Sequence, residues 1–541
     1  MTVPSRTISS PRSIFLVIFV ALLAYAVYRV RRIGSRPAGL PLGPPTEAIW
    51  GNLKQLPESQ QEYKYIEWAK HYGPVYSIMK GPYPYIIVNE PHAARELFIK
   101  LGQHTAARPY MPVMMMARAG YEPAQMSGSP WRAARKQWHS MLNVGASIKY
   151  LPYQELEATK LIFDVVRDPK SWEMHIPRYS NSVAMTMTTG HRVAESDDPL
   201  IQETLKDFVN TVMFGFRNHR LNFFPSILNL LDTLSPFKKE AVQLSKQHRA
   251  MAIGHYNRAK RAKLPSFYEV IQQKQLVEGF TEAEAAELGQ SLLTAGTDTT
   301  ASSLHGWVAA MAVFPEVQRK AQEEIDRVVG SERMPRDEDA PNLPYVRQVI
   351  QELHRWISVV PLGLTHATSS PLRWRGWMLP EGTGLIYNTF AIHNDPNIYP
   401  EPRVFKPERW EGKLEKASED SLGAKSELLT FGAGRRICPG QHLAERNLFL
   451  GISGWLWAFN TIKAKDQLGN EIPIDINSYK PGLVSMLQPF KVSIKPRNED
   501  RARLVQETWM DLRSELLDEN EQWKKVPQGV DLLMMKMKPR D

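Results

Sequence analysis

Three patterns of apolar and polar positions divide the chain. The first is an apolar run from Ile14 to Val30, broken at Arg29. As a helix its seventeen residues span about 25 Å, the short end for crossing a bilayer. Tyr25 and Tyr28 suit a membrane interface, and Arg29 can snorkel towards it. Arg29, Arg31, Arg32 and Arg36 follow the run, against Arg6 and Arg12 before it. This asymmetry predicts a short tail over 1–13, a transmembrane anchor over 14–30 and a body on the cytosolic side. Ala24-Tyr25-Ala26 offers the competing reading of a cleaved secretory signal. The stretch 37–45, dense in proline and glycine, cannot continue a helix and predicts a stiff spacer within a basic linker over 31–45.

The second pattern is helical. Thr281 followed by Glu284 is a capping-box signature. From there Leu288, Leu292, Ala295, Gly296 and Thr299 share one face up to Phe314, where Pro315 forces a break. About 32 residues, or roughly 48 Å, is long enough to cross a whole domain, which predicts a buried spine. A second helix starts at Pro315 and stops at Gly330. A third runs from about Pro344 to Ile357, with Val346, Val349, Ile350, Leu353 and Trp356 on its apolar face.

The third pattern has a shorter period. Leu372 to Trp377, Gly384 to Asn388 and Phe490 to Ile494 read as strands between Gly and Pro punctuation. Helices dominate and the sheet is minor. With no repeat, low-complexity tract or flexible linker after about residue 45, the 541 residues predict one large domain.

Composition narrows the chemistry. The net charge of +10 is spread along the chain, with no zinc-finger, basic-zipper or RNA-binding signature, so nucleic acid is not the implied partner. The single cysteine, Cys438, excludes an intrachain disulfide and any multi-cysteine metal site. That fits a reducing compartment.

A lone cysteine is ordinarily a small buried hydrophobe. Here it sits in Phe431-Gly432-Ala433-Gly434-Arg435-Arg436-Ile437-Cys438-Pro439-Gly440. The three glycines let backbone approach a flat object closely, and backbone N–H groups and arginines around the sulfur can stabilise a thiolate. Phe431, Gly434, Arg436, Cys438 and Gly440 resemble the haem-binding loop of the cytochrome P450 family. The resemblance implies the mainly α, minor β P450 fold, here preceded by one N-terminal transmembrane helix. It implies haem b (iron protoporphyrin IX) with Cys438 as proximal thiolate, Phe431 and Gly432 in the haem loop, and Arg436 on a propionate.

Other segments take their meaning from that resemblance. Glu352-Leu353-His354-Arg355 alone is an ordinary helical ion pair. With Phe405-Lys406-Pro407-Glu408-Arg409-Trp410 it resembles the family's structural triad of Glu352, Arg355 and Arg409. Trp131 and Arg135 match a W-x-x-x-R helix whose members contact a propionate, and His366 stands at another propionate position. Ala295-Gly296-Thr297-Asp298-Thr299-Thr300 puts poor helix formers at the centre of the spine. Its threonines can simply bond back to preceding carbonyls. By resemblance, Gly296 to Thr300 is the oxygen-binding groove, with Thr299 as hydrogen-bond donor and Asp298 as proton relay.

The family reading covers a catalytic domain over 46–496 and leaves 497–541 as an unexplained charged extension. It implies a monooxygenase that puts one oxygen atom from O2 into a lipophilic small molecule, with the flavour of fungal secondary metabolism. Tyr110 to Met116 is expected as a substrate-covering loop, with Val359, Val360, Leu362, Leu364, Leu483, Val484 and Met486 lining the pocket. No G-x-G-x-x-G opens a βαβ unit, so electrons must come from outside. The resemblance implies NADPH–cytochrome P450 reductase, with Arg132, Lys136 and Arg435 on a basic docking face. It also implies the endoplasmic reticulum membrane as location. The rivals are a haem-thiolate isomerase or dehydratase that does not use O2, and a non-catalytic scaffold.

Overall fold

The computed structural model describes residues 11–118, 120–231, 235–413 and 428–530. The first ten residues of the expected tail and the last part of the extension lie outside the described residues. The helices that build the core and site begin with α1 (Pro11–Arg32), α2 (Pro112–Ala117), α3 (Gly128–Leu142), α4 (Leu151–Arg167), α5 (Trp172–Thr189) and α6 (Pro199–Arg217). They continue with α7 (Pro236–Ala259), α8 (Glu282–Val313), α9 (Pro315–Val328), α10 (Pro344–Ile357), α11 (Gln441–Ala458) and α12 (Glu499–Leu516). Among the described residues eight short strands accompany them: β1 (Val75–Lys80), β2 (Tyr83–Val88), β3 (His366–Ala367), β4 (Leu372–Trp374), β5 (Trp377–Leu379), β6 (Gly384–Tyr387), β7 (Phe459–Lys463) and β8 (Val492–Pro496).

The spine is α8. Its start is fixed by a reciprocal cap: the Glu284 N–H donates to the Thr281 hydroxyl, and the Thr281 N–H donates to the Glu284 carboxylate at 2.9 Å. Pro315, lacking an N–H, ends it and opens α9. From Ala301 to Ala312 every residue of α8 is buried. Leu304, Trp307 and Met311 join Leu353 and Trp356 of α10 and Trp455 of α11 in the main core cluster.

The larger sheet has the order β1-β2-β6-β3, antiparallel except for the parallel β2–β6 pair. The run expected as one strand from Leu372 to Trp377 is a hairpin instead. Arg375 and Gly376 both take positive φ (49° and 83°), the requirement of a tight two-residue turn, so β4 folds back onto β5. The β1–β2 hairpin carries no alternation, because Ile78 and Met79, like Ile86, Ile87 and Val88, are buried on both faces.

The described part of the charged extension, up to residue 530, packs into the core. Val505 and Trp509 of α12 are buried, and α12 packs along α4. Beyond it Leu517, Trp523 and Val530 join the cluster holding Tyr153 and Tyr256. Arg192, fully buried, donates to the Glu157 carboxylate at 2.6 Å and to the Glu521 carbonyl at 3.1 Å. The spacer is also docked: the Ser77 hydroxyl donates to the Pro41 carbonyl at 2.6 Å, and the Met378 N–H to that of Gly39.

The N-terminal expectation is corrected. Among the described residues no helix is long and apolar enough to cross a membrane. The apolar stretch of α1 is short, and its last turn carries Arg29, Arg31 and Arg32, each strongly unfavourable inside hydrocarbon. The predicted transmembrane helix, the membrane partner and the single-pass placement in the endoplasmic reticulum membrane are therefore not supported.

Candidate active site

Cys438 lies between the 3-10 turn Gly434–Arg436 and the first turn of α11. Its N–H donates to the Phe431 carbonyl at 2.8 Å, closing the loop on itself. Gly434 has φ +64°, and a Cβ there would sit 2.0 Å from the Phe98 carbonyl oxygen, so backbone approach excludes any side chain. Burial pushes the Cys438 thiol up, against the Gly440 N–H and Arg135, and Glu445 adds to the rise. A positively charged centre at the sulfur would reverse that balance.

The loop is held from behind by α10 and by the short helix Thr389–His393. Burial pushes His393 down to about 3, so it is neutral and its Nε2 accepts from the Leu429 N–H at 3.0 Å. The Thr430 hydroxyl donates to the His354 carbonyl at 3.1 Å, and the Phe431 ring meets the His354 ring edge-on at 5.1 Å. In the sequence His393 was one unremarked histidine among 14, with no spacing to single it out.

Glu352 is the hub beneath. Arg355 binds it bidentately, Nε at 2.9 Å and Nη2 at 2.7 Å, while Arg409 Nε approaches at 3.3 Å. The carboxylate also accepts from the Lys406 N–H at 2.9 Å and Trp410 Nε1 at 3.0 Å. Arg355 ties the hub to the His393 and Pro402 carbonyls, both at 2.8 Å. Glu352 and Arg355 are fully buried.

On another side of the loop lies a set of cations. The Arg436 guanidinium stacks 3.8 Å over the Trp131 ring and donates to the Ala106 and Met126 carbonyls at 2.9 and 2.6 Å. Arg108, from the loop before α2, donates to the Leu364 and Thr365 carbonyls at 2.5 and 2.9 Å. His366 Nδ1 bonds the Thr105 carbonyl at 2.8 Å. Burial, reinforced by Arg108 and Arg135, pushes Arg436 down to about 8, and burial pushes Arg108 down to about 10. Burial, Arg108 and Arg436 hold His366 well below the usual imidazole range. Among the described residues no carboxylate forms an ion pair with Arg108, Arg135 or Arg436. Arg108 is the member that the sequence reading missed, since nothing in Ala106-Ala107-Arg108-Pro109 marks it.

Gly296, Asp298 and Thr299 stand in one turn near the middle of α8. A Cβ on Gly296 would lie 3.3 Å from that of Ala184 on α5, so the two helices meet closely there. The Thr299 hydroxyl donates back to the Ala295 carbonyl at 2.8 Å, the local bond open to any helical threonine. Burial raises the Asp298 carboxyl to about 6, opposed by Lys480. Pro112 to Ala117 is helical, with Val113 and Ala117 buried against Phe214 of α6 and Leu244 of α7. The Ser485 N–H donates to the Val359 carbonyl at 2.8 Å, which joins the two apolar stretches expected to line the pocket.

The family Cytochrome P450 matches this chain over residues 41–494. The chain belongs to the cytochrome P450 family. It is 47% identical to cytochrome P450 monooxygenase alnH of Emericella nidulans, over 95% of each chain. It is 36% identical to cytochrome P450 monooxygenase virE of Hypocrea virens over 94% of each, and 34% identical to cytochrome P450 monooxygenase fsoB of Humicola fuscoatra over 95% of this chain and 97% of the other. The protein is a haem-thiolate monooxygenase, and neither the O2-independent reading nor the scaffold reading is favoured.

Membership of the P450 family implies a haem, O2, a small-molecule substrate and a source of electrons. The residues present fit a haem. Cys438 offers a thiol from the loop, and Arg108, Arg135 and Arg436, with no carboxylate ion-pair partner among the described residues, can serve a dianionic edge. Of the expected docking cations, Arg132 and Arg435 are exposed. Lys136 is already paired with Glu278 at 2.6 Å.

Proposed function

We propose that Cys438 is the axial ligand of the haem iron, and that Arg108, Arg135, Arg436, Trp131 and His366 hold its propionate edge. The observation that carries this reading is the half-buried cationic cluster that has no carboxylate ion-pair partner among the described residues, set beside the only thiol in the chain. When bound, the haem supplies the redox chemistry, and a thiolate ligand favours O–O cleavage. The protein supplies the rest. Arg436 is oriented by its two carbonyl partners and the Trp131 face, so little side-chain freedom is lost when it meets a carboxylate. Replacing Arg108 with leucine should raise the rate of haem transfer to an apo-globin scavenger roughly tenfold or more, the equivalent of one hydrogen bond to a charged group. An unchanged transfer rate would remove Arg108 from the site.

Asp298 and Thr299 manage protons. A carboxyl titrating near 6 is divided between its two forms close to neutral pH, so it can both take and give a proton. The Thr299 hydroxyl must leave the Ala295 carbonyl to donate elsewhere, a rotation about one side-chain torsion. For Thr299→Ala we expect less product and more hydrogen peroxide per NADPH consumed, with the spectrum unchanged. Coupling equal to wild type would exclude Thr299 from the reaction.

Electrons come from a separate NADPH-dependent flavoprotein reductase, since the chain carries no dinucleotide fingerprint of its own. The residues expected to line the pocket, among them Val359, Leu362 and Val484, are apolar, which supports a lipophilic substrate. The relatives above come from fungi, and together with Pro361-Leu362-Gly363 before His366 they support a role in secondary metabolism. Mass spectrometry of metabolites accumulating on deletion of the gene, followed by turnover of the accumulated compound with O2 and NADPH, tests both statements.

A further inference from the structure

Arg178 to Asn181, four consecutive residues of α5, are almost wholly buried, and their polar side chains reach α4, α11 and α8. Arg178 donates to Glu157 of α4 at 2.5 Å and pairs with Asp164 at 3.2 Å. The Tyr179 hydroxyl donates to the Asn447 carbonyl of α11 at 2.9 Å. The Ser180 hydroxyl has carbonyls of its own helix at 3.2 and 3.4 Å, yet its shortest contact is the Thr297 carbonyl of α8 at 2.8 Å. Asn181 Nδ2 donates to the Thr297 hydroxyl at 3.1 Å, and that hydroxyl donates in turn to the Leu293 carbonyl at 2.8 Å.

This polar patch is costly. Asn181 Oδ1 has no hydrogen-bond partner among the described residues, although the side chain is wholly buried. The apolar side chains of Val183 and Ala184 on α5 and of Leu293 on α8 are buried as well. An apolar residue of similar shape would avoid the desolvation of an unsatisfied amide oxygen, so stability alone does not account for an asparagine here. What the pair does is fix one turn of α8. Successive helical residues are about 100° apart, so Thr297, gripped by α5, and Thr299, two residues on, point to nearly opposite sides. Gly296, in the same turn, lets α5 approach closely.

We propose that Ser180 and Asn181 are positioning residues for oxygen insertion. By holding the Thr297 carbonyl and hydroxyl they set the depth and rotation of the α8 turn that carries Asp298 and Thr299. Tyr179, one residue earlier, holds α11, the helix that starts three residues after Cys438. One short strut of α5 therefore references the groove on α8 to the helix behind the thiolate. The inference rests on the reading of Gly296 to Thr300 as the groove over the haem.

The probe is imidazole, which binds the ferric haem protein in the space that the groove overhangs. Ser180→Ala and Asn181→Leu should each change the imidazole Kd, read from the Soret shift, by roughly two- to tenfold, the equivalent of one net hydrogen bond. The reduced, CO-bound spectrum should keep its thiolate-type position. If the effect passes through Thr297, the double variant Asn181→Leu/Thr297→Val should show no larger change than the larger single one. Unchanged imidazole affinity in both single variants, or strictly additive effects in the pair, overturns the proposal. Should Asn181→Leu fail to fold, Ser180→Ala decides alone, since it removes one hydroxyl and leaves a strong helix former. Thr299→Ala separates the two readings. Altered imidazole affinity in Ser180→Ala with normal peroxide release in Thr299→Ala would retain the strut and reject the role of Thr299.

Discussion

Replacing Cys438 with serine is expected to abolish monooxygenase activity, by roughly three orders of magnitude or more, equivalent to about 4 kcal/mol of barrier. The chain has no second thiol to take over. Serine keeps the size of the side chain, and the loop closes through backbone: the N–H of residue 438 to the Phe431 carbonyl, and the Gly432 N–H to the Leu429 carbonyl. The variant should therefore fold, with a far-ultraviolet spectrum like that of the parent. What is lost is the electron-rich sulfur that favours O–O cleavage. The decisive measurement is the reduced, CO-bound spectrum, which should lack the thiolate-type Soret shift. A serine variant that kept both the shift and turnover would sink the assignment of Cys438.

The second large effect is expected at Glu352. Truncation to alanine leaves Arg355 fully buried and charged, and strands the Lys406 N–H and Trp410 Nε1 as unpaired donors. Removing one member of a buried ionic cluster costs about 3–5 kcal/mol, a large fraction of the ~5–15 kcal/mol that keeps a domain folded. The damage falls next to the site, because Arg355 also holds the His393 carbonyl and His393 holds the Leu429 N–H at the start of the cysteine loop. We expect Glu352→Ala to yield little soluble haem protein and a lowered melting midpoint. Arg409→Lys, at a longer and less buried contact, should be milder. A Glu352→Ala protein that melted with wild type would show that the cluster is dispensable.

Local chemistry was legible wherever one stretch of chain carried the whole signal. The bounds of α8 were, because a reciprocal cap and a proline are local devices. So was α10, whose apolar face repeats cleanly from Val346 to Trp356. The glycine spacing around Cys438 was legible for the same reason, since positive φ and close backbone approach are properties of single residues. Elsewhere local signal ran out. The run Leu372 to Trp377 read as one strand, and only the pairing of Leu372 with Leu379 shows the turn at Arg375-Gly376. The apolar run at the N-terminus read as an anchor, but its last helical turn carries three arginines, and among the described residues no helix is long and apolar enough to cross a membrane.

By itself, then, the sequence determined the spine, the thiol loop and the family, each through short-range rules of capping, periodicity and glycine geometry. The tertiary structure alone decided that Arg108 stands beside Arg436, that His393 props the cysteine loop, that Ser180 and Asn181 grip Thr297, and that Val505, Trp509 and Trp523 of the charged C-terminal extension are core. The reason is physical. Electrostatic and hydrogen-bonded partners at these sites lie far apart along the chain, as Arg108 and Thr365 do, or Arg192 and Glu521. Burial makes such partnerships strong and selective, yet it leaves no periodic trace in the order of residues.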